Sequence, residues 1–556
     1  MDNQRLILLM VFCFSLIMLW DGWEKYKHPP VPASQQGMPQ SVAGTGEIPA
    51  PSAVPVAAGN QIPSAVPAAA ASSVLAPRVE ITTDLYKAVV SAQGGDLVRL
   101  ELLKHYAANE SDKRFLLFDE GEHHTYLGQS GLIGEGLPNH KTLWQFVPGE
   151  TTLRDGQDTL VVALQAVSPS GVQVQKRYVF HRDSYLIDVT YRIVNGSPVA
   201  VAPSAYFQIT RDGKPAEAKG SGLASMGAST FTGPAVFTDE QKYQKVSFED
   251  IAKGKDKHAT KSDNGWLAMV QHYFVSAWLP NDKTQREFFT RKIGDDLYSA
   301  GVIVPADSIA PAASGQVGVR LYAGPQEQDK LKHIATGLDL VVDYGWLTVI
   351  AAPIFWVLET IHKLVGNWGW SIIALTVMIK MIFFPLSAAS YRSMAKMRLV
   401  APKLQKLKET YGDDKMRLNQ EMMDLYKKEK INPLGGCLPI LIQIPVFIAL
   451  YWVLLGAVEM RNAPWVGWIT DLSVKDPYYV LPLIMGATML IQTKLNPAPP
   501  DPMQAKIMMI MPVIFTVMFL FFPAGLVLYW TVNNLLSIAQ QWQITRMIEG
   551  GGKKAA

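Results

Sequence analysis

The stretch Trp368–Leu386, WGWSIIALTVMIKMIFFPL, is long and apolar enough to cross a bilayer yet carries one charge, Lys380. About 20 apolar residues in a helix span a hydrocarbon core of about 30 Å. Lys380 lies about 18 Å along the axis from Trp368 and about 10 Å from Ser387, where the chain turns polar. Burying such a charge costs about 2.5–3.5 kcal/mol, and intramembrane charges usually mark functional sites. A lysine that snorkels or pairs with a carboxylate is the alternative.

The whole chain is nearly neutral, with 51 basic and 48 acidic residues among 556, so no DNA partner is predicted. The two cysteines, Cys13 and Cys437, lie in apolar stretches. Neither a disulfide framework nor a cysteine metal site is therefore predicted, and the sequence suggests no cofactor. His123 and His124 stand beside Glu120 and Glu122, but a solvated loop explains them better than a metal site does.

The N-terminal region predicts an anchor followed by a tether. The apolar run Leu6–Trp20 resembles a secretory signal, but Asp21, Gly22 and Trp23 follow it instead of a small-residue cleavage site. We therefore expect residues 1–24 to form an uncleaved signal anchor with the N-terminus in the cytoplasm. Residues 25–78 are rich in Pro and Ala and have few charges, which predicts a semi-extended tether.

Residues 79–335 consist of short alternating runs typical of strands. In Tyr185–Val194, for example, apolar and polar side chains alternate, and Asn195, Gly196 and Ser197 supply a turn. This pattern predicts a large antiparallel β-sandwich on the exported side of the membrane. Residues 343–366 change to helical spacing with scattered polar positions, which favours an amphipathic helix at the membrane interface.

Hydropathy predicts further spans after the first stretch, which we assign to residues 368–388. The candidates within residues 434–546 are Leu434–Val458, Tyr478–Gln492, Ile507–Phe522 and Leu526–Ile544. Residues 389–433 are rich in Lys and Arg, including Lys396, Arg398, Lys403 and Lys406, and so are predicted to form a cytoplasmic helical hairpin. With the anchor this gives an α-helical membrane protein of six spans, with both termini and the short tail 547–556 in the cytoplasm. The basic hairpin is either a solvated face or a contact for anionic lipids, ribosomal RNA or another acidic partner.

The five C-terminal spans offer Lys380 no carboxylate partner, because no Asp or Glu lies within their apolar cores. The lysine is therefore expected to face a hydrated cavity, and Thr376, four residues earlier, shares its face. Ion-coupled transporters usually carry intramembrane carboxylates, so this class is disfavoured. A serine–lysine hydrolase needs a nucleophile within about 3 Å of the amine; Ser387 lies about 10.5 Å away along the axis. No nucleotide-binding loop or hydrolase motif is present, so the chain is not predicted to be an enzyme.

Four segments carry a resemblance to a known family. They are Ser393–Arg398 (SMAKMR), Asn432–Phe447 (NPLGGCLPILIQIPVF), Asp501–Thr516 (DPMQAKIMMIMPVIFT) and Phe522–Gln541 (FPAGLVLYWTVNNLLSIAQQ). Together they closely resemble the bacterial YidC membrane insertases, in particular the Gram-negative type with a large periplasmic domain. The resemblance implies a five-helix core with a hydrophilic groove that is open to the cytoplasm and the bilayer. It also implies an insertase and chaperone of the bacterial inner membrane, with nascent membrane proteins, the ribosome, the Sec translocon and membrane lipids as partners.

The resemblance also assigns residues. Lys380 falls at the groove charge, where many members have arginine, and Thr376, Gln443 and Asn533 fall on groove positions. The apolar surface along which a client helix slides is matched by Ile444, Phe447, Met485, Phe515, Phe519, Tyr529 and Trp530. The alternative function is a membrane-anchored periplasmic protein, carbohydrate-binding or an envelope scaffold, in which the sandwich acts and the helices only hold it. A channel or transporter is a third possibility and predicts solute flux.

Overall fold

A computed structural model describes residue 49 and residues 76–107, 110–121, 124–214, 231–281, 283–344, 347–412, 414–429, 438–496 and 502–552. The predicted anchor over residues 1–24 lies outside the described residues, as does almost all of the predicted tether. The end of the tail, residues 553–556, also lies outside them.

The N-terminal half of the described chain is built from strands. In chain order they are β1 Arg78–Thr82, β2 Tyr86–Ser91, β3 Leu97–Ala107, β4 Glu110–Glu120, β5 Thr125–Ile133, β6 Gln145–Phe146, β7 Thr159–Val167, β8 Val172–His181, β9 Leu186–Asn195, β10 Ser204–Asp212, β11 Gly233–Thr238, β12 Lys242–Lys245, β13 Lys261–Ser262, β14 Trp266–Val270, β15 Phe274–Pro280, β16 Arg286–Gly294, β17 Leu297–Pro305 and β18 Ser314–Pro325. Within the described residues they form two sheets, with the orders β1-β2-β3-β4-β5-β10-β17-β16-β13 and β12-β11-β14-β15-β18-β9-β8-β7-β6. The two sheets form the predicted antiparallel β-sandwich.

The alternation of apolar and polar side chains explains why these segments form a sandwich. In β9 the side chains of Ile187, Val189, Tyr191 and Ile193 are buried, as the alternating pattern predicted. The neighbouring strand β8 pairs with β9 in antiparallel register, with Tyr178 opposite Val189. Successive side chains of a strand point to opposite faces, so each strand contributes every second residue to the core.

One buried position of β8 is charged. Lys176 is fully buried between Val174 and Tyr178 on the inward face. Its ammonium lies 3.6 Å from a carboxylate oxygen of Asp96 and donates to the carbonyl oxygens of Gly94 (3.2 Å) and Ser130 (3.4 Å). Burial raises the pKa of Asp96 to about 6 and lowers the pKa of Lys176 to about 8. The sandwich core therefore contains an ion pair.

Helices make up the C-terminal half. The described α-helices are α1 Phe248–Ala252 and α2 Gln328–Ile334 at the sandwich, followed by α3 Thr348–Val365, α4 Trp368–Ile382, α5 Phe384–Tyr411, α6 Lys415–Lys428, α7 Leu438–Gly456, α8 Val480–Leu495, α9 Pro502–Phe519 and α10 Ala524–Gly552. The end of α5 and all of α6 form a helical hairpin. Asp414 caps α6 by accepting a hydrogen bond from the backbone N–H of Arg417.

The stretch that was read as one span from Trp368 bends before its end. Helix α4 ends at Ile382, and the first part of α5, Phe384–Met397, continues at an angle of 67°. Pro385 lies in the first turn of α5, where its missing N–H costs no hydrogen bond, whereas inside a continuous helix it would remove one.

Few of the described helices are both long and apolar enough to cross a membrane. Among them, α3 alone is long and apolar enough to cross a bilayer, and α4 with the start of α5 passes only as a bent pair. Shorter apolar helices lie over Gln443–Gly456, Val480–Leu495 and Ala505–Phe519. The exposed face of α3 carries Val349, Trp356 and Leu364 together with Lys363, and its place at the membrane interface stays a prediction.

The sandwich is attached to the helices through the loop that follows α7. The Arg461 guanidinium donates to the carbonyl oxygen of Tyr106 at 2.6 Å and lies 5.3 Å from the ring centre of Tyr273 and 5.5 Å from that of Phe274. The His272 ring donates to the carbonyl oxygen of Leu455 at 2.9 Å. These contacts join loops of the sandwich to the end of α7 and fix the orientation of the two parts.

We expect this junction to weaken in acid through His105 of β3. Its ring packs against Phe274, 5.4 Å between centroids, and burial together with nearby Arg461 lowers the pKa of His105 to about 4. The folded protein therefore favours the neutral ring. The contribution of His105 to the free energy of unfolding is complete above about pH 6.5 and is lost as the pH falls toward 4. Thermal unfolding of the purified protein between pH 7 and 4 should show this loss, and His105→Phe should reduce the pH dependence. An unchanged pH profile in His105→Phe would contradict the assignment.

Candidate functional site

A cavity of about 360 Å³ lies between α4, α5, α7, α8 and α10. Its lining residues include both polar side chains and apolar or aromatic ones. They are Lys380, Ser387, Ser390, Tyr391, Met394, Gln443, Ile444, Phe447, Met489, Gln492, Thr493, Asn496, Tyr529, Trp530, Asn533, Asn534 and Ser537. The cavity thus combines one cation with carboxamide and hydroxyl groups.

Lys380 reaches this cavity from the last turn of α4. Its residue is only 4% exposed, and its ammonium donates to the hydroxyl oxygen of Ser537 on α10 at 2.7 Å. The sequence drew attention to Ser387 as the serine on the same face, but the serine that contacts the amine comes from a different helix. The cavity wall contains no Asp or Glu among the residues that the structure describes.

Most of the residues that the resemblance assigned to the groove meet at this cavity. Lys380, Gln443 and Asn533 line it together with Ile444, Phe447, Tyr529 and Trp530. The Phe447 ring packs edge-on against Trp530, with 4.4 Å between centroids, and lies 6.2 Å from Tyr529. Ile444 is 44% exposed and stands at the open side. Seven predicted residues from three parts of the sequence are therefore neighbours.

Other predicted residues lie elsewhere. Thr376 is buried in α4, where its hydroxyl donates to the carbonyl oxygen of Ile372 at 2.6 Å. Met485 on α8 and Phe519 on α9 are buried in helix packing, and Phe515 is half-buried one turn before Phe519. None of these four lines the cavity. Helices α8 and α9 approach closely at Gly486, where an added Cβ would meet the Thr516 side chain at 2.1 Å.

The basic residues of the hairpin lie outside the cavity. Lys396, Arg398, Lys403 and Lys406 all belong to α5 beyond the bend. Lys403 forms an ion pair of 2.6 Å with Glu429 just after α6, and Lys403 and Lys406 line a separate groove between the two arms. Val400 and Leu404 pack with Tyr426 between the arms. The hairpin is therefore held together by its own small apolar cluster.

Several cavity residues were not singled out from the sequence. They are Ser390, Tyr391, Met394, Met489, Gln492, Thr493, Asn496, Asn534 and Ser537. A signal existed in the last helix, because Asn533, Ser537 and Gln541 recur every four residues and therefore share one face. Gln541 donates to the carbonyl oxygen of Leu495 and to the Asn496 side chain, both at 3.0 Å, which ties α10 to α8.

The chemistry of the cavity is that of binding. Within the described residues no three His, Cys, Asp or Glu side chains converge as metal ligands would. An ammonium, amides and hydroxyls can hold a carboxylate or the polar groups of a peptide through hydrogen bonds, while the aromatic side accepts apolar groups.

Comparison with known proteins places both halves of the chain. A family model described as the YidC periplasmic domain matches residues 78–357, and one described as the 60Kd inner membrane protein matches residues 360–552. The chain belongs to the YidC family.

Relatives match the chain along its whole length. It is 63% identical over 549 residues to the membrane protein insertase YidC of Aromatoleum aromaticum, covering 99% of this chain and 98% of the relative. It is 60% identical over 556 residues to the YidC insertase of Dechloromonas aromatica, covering 100% and 99%. A crystal structure described as an active YidC insertase with its first transmembrane domain resolved is similar at 18% identity and a TM-score of 0.39, covering 83% of this chain and 91% of that one.

Proposed function

We propose that this chain, a membrane protein insertase of the YidC family, receives the polar end of a client in the cavity around Lys380 while the client's apolar segment passes into lipid. One observation carries the proposal. The Lys380 ammonium is buried on a wall of carboxamides and hydroxyls that, over the part of the chain described, includes no carboxylate. A carboxylate on the client would supply the missing counter-charge, because a buried cation is costly unless it is paired.

The function requires no covalent chemistry, in keeping with a family of insertases rather than enzymes. A hydrated cavity lowers the free-energy cost of moving a polar tail into the bilayer. Each polar group left without a hydrogen bond in hydrocarbon costs several kcal/mol. The client helix leaves sideways, and its burial in lipid contributes about 0.8 kcal/mol per CH₂ group. Transfer to lipid therefore drives release.

The apolar side of the cavity would guide the client helix. Phe447 on α7 packs against Tyr529 and Trp530 on α10, and the exposed Ile444 lines the same cavity. We assign Phe515 to the same path along α9. Met485 and Phe519 are buried behind it and would support it from inside. Thr376 and the neighbouring α4 turns would support Lys380 in the same way.

The protein is an inner-membrane protein whose substrates are nascent membrane proteins. We propose that it crosses the membrane six times, with the N-terminal anchor as the first span and α4, α7, α8, α9 and α10 as the others. Both termini and the hairpin would face the cytoplasm, because the hairpin and the chain end are rich in Lys and Arg. The sandwich would face the periplasm, with α3 at the membrane surface.

Partners other than clients would meet the hairpin. Lys396, Arg398, Lys403 and Lys406 present positive charge on the side where client chains arrive. Anionic lipid headgroups and ribosomal RNA are the acidic surfaces available there. We assign the ribosome to this surface and the Sec translocon to the role of a cooperating partner that hands over clients.

Reconstitution tests the proposed function. The purified protein, alone in proteoliposomes and without nucleotide, should insert a small single-span client, measured as the fraction protected from added protease. A variant without residues 79–330 should keep this activity, whereas a periplasmic scaffold would lose it. Vesicles loaded with a small dye should retain it during the assay, in contrast to vesicles containing a channel. Protected insertion no greater than in protein-free liposomes would overturn the proposal.

A further inference from the structure

Lys380 is held by a hydrogen-bonded group that the resemblance does not supply. Its ammonium donates to Ser537 Oγ at 2.7 Å, and both residues are almost completely buried, at 4% and 3% exposure. The two residues belong to α4 and α10, far apart in the sequence. The contact therefore depends on how these two helices pack.

The Ser537 hydroxyl has further partners. It donates to the carbonyl oxygen of Asn533 at 2.7 Å, one turn earlier in α10. The phenol of Tyr391 on α5 lines the same cavity, within reach of the Ser537 hydroxyl. A serine hydroxyl offers one proton and two lone pairs. Since its proton goes to the Asn533 carbonyl oxygen, the hydroxyl accepts from Lys380 and keeps one lone pair that the Tyr391 phenol can use.

The contact of 2.7 Å has the spacing of a serine–lysine pair, but the Ser537 hydroxyl also has the Asn533 carbonyl oxygen as an acceptor. In a serine–lysine hydrolase the amine takes the hydroxyl proton, whereas here the proton is directed to the Asn533 carbonyl and the ammonium is a donor. The same geometry leaves the ammonium with two further N–H groups. Neither has a side-chain carboxylate to bond to among the described residues of the cavity wall.

We propose that Ser537 and Tyr391 are positioning residues that fix the Lys380 ammonium against α10 and leave its remaining N–H groups for the carboxylate of a client. This inference rests on the proposed function. A lysine side chain is flexible and binds as a point charge, unlike the rigid planar group of arginine. A fixed hydroxyl acceptor limits that flexibility and sets where the charge stands in the cavity. Helix α5 takes part through Tyr391, so the bend after α4 also brings a residue to the cation.

The test compares clients that differ only in the charge of the translocated tail. Reconstituted protein is given single-span clients with zero, one or two aspartates in that tail, and the measured quantity is the ratio of acidic-tail to neutral-tail insertion rates. Ser537→Ala should lower this ratio about tenfold, the effect of losing one hydrogen bond to a charged group. Ser537→Thr should restore it, and Tyr391→Phe should lower it by less.

The matched control is Ser371→Ala. Ser371 is also fully buried and also donates to the carbonyl oxygen four residues earlier, at 2.8 Å, but it lies near the other end of α4 and does not line the cavity. The ratio of acidic-tail to neutral-tail insertion rates in Ser371→Ala should match that of the unchanged protein. If Ser537→Ala slows all clients equally and leaves the ratio unchanged, the serine is only structural and the inference is wrong.

A further variant separates this inference from the proposed function. Lys380→Gln should lower the same ratio, and adding Ser537→Ala to it should cause no further change. If Lys380→Gln leaves the ratio unchanged, the electrostatic role of the lysine fails and the positioning role fails with it. If Lys380→Gln lowers the ratio but Ser537→Ala does not, the positioning role alone fails.

Discussion

Lys380→Glu should nearly abolish insertion of a client with an acidic translocated tail. The substitution replaces attraction with repulsion at a residue that is 4% exposed. Two unit charges 4 Å apart interact by about 4 kcal/mol at the effective dielectric of a protein surface. Because about 1.4 kcal/mol is tenfold in an equilibrium, a loss of well over tenfold is expected. The protected fraction of the acidic client in proteoliposomes measures this effect, and a client with a neutral tail should lose much less.

Two variants serve as controls for this prediction. Lys380→Arg keeps the positive charge and should keep most of the activity. Lys506→Glu makes the same charge change at an exposed residue of α9 that does not line the cavity, and it should leave insertion unchanged. Equal insertion of both clients by Lys380→Glu, at normal protein levels, would remove the electrostatic role from the mechanism.

Asp96→Ala should destabilise the sandwich by about 3–5 kcal/mol, the usual cost of leaving one member of a buried ion pair alone. The ammonium of Lys176 would then keep the carbonyl oxygens of Gly94 and Ser130 as hydrogen-bond acceptors but would have lost its counter-charge. The quantity to measure is the free energy of unfolding of the purified protein in denaturant, followed by tryptophan fluorescence.

The comparison variants make this result interpretable. Asp307→Ala removes an exposed carboxylate of the same domain and should change the free energy by no more than about 0.5 kcal/mol. Removing both charges with Asp96→Ala and Lys176→Met should recover much of the lost stability, because no unpaired charge remains. A single Asp96→Ala variant as stable as the unchanged protein would show that the pair is not needed.

The sequence predicted the elements better than their contacts. The alternation in β9 predicted an inward-facing row, and the structure confirms it at Ile187 and Ile193. The same alternation places Lys176 on the inward face of β8. That charge on an apolar row was a visible signal of a buried pair. Its partner, Asp96, lies in a turn far away along the chain and no periodicity points to it.

In the cavity, too, the sequence indicated single residues but not their contacts. Lys380 was identifiable because a charge in an apolar helix is costly wherever the helix packs. Ser537 was visible only as one of several polar residues in the last helix, and its pairing with Lys380 depends on how α4 packs on α10. Pro385 permits the break after Ile382 but does not require it, because α5 itself continues through Pro402. The angle of 67° depends on the packing of α5. Local rules fix where helices end, while the neighbours of a side chain depend on the tertiary fold.

The break after α4 has a consequence for the surrounding lipid. Helix α4 has 15 residues and α8 has 16, so at 1.5 Å per residue each is about 23 Å long. A typical hydrocarbon core is about 30 Å thick. As the proposed spans, these two helices would require the acyl chains beside them to shorten, or their own ends to be covered by water and polar groups. The rate of insertion should therefore fall as the acyl chains of the host bilayer are lengthened, even when clients and protein are unchanged.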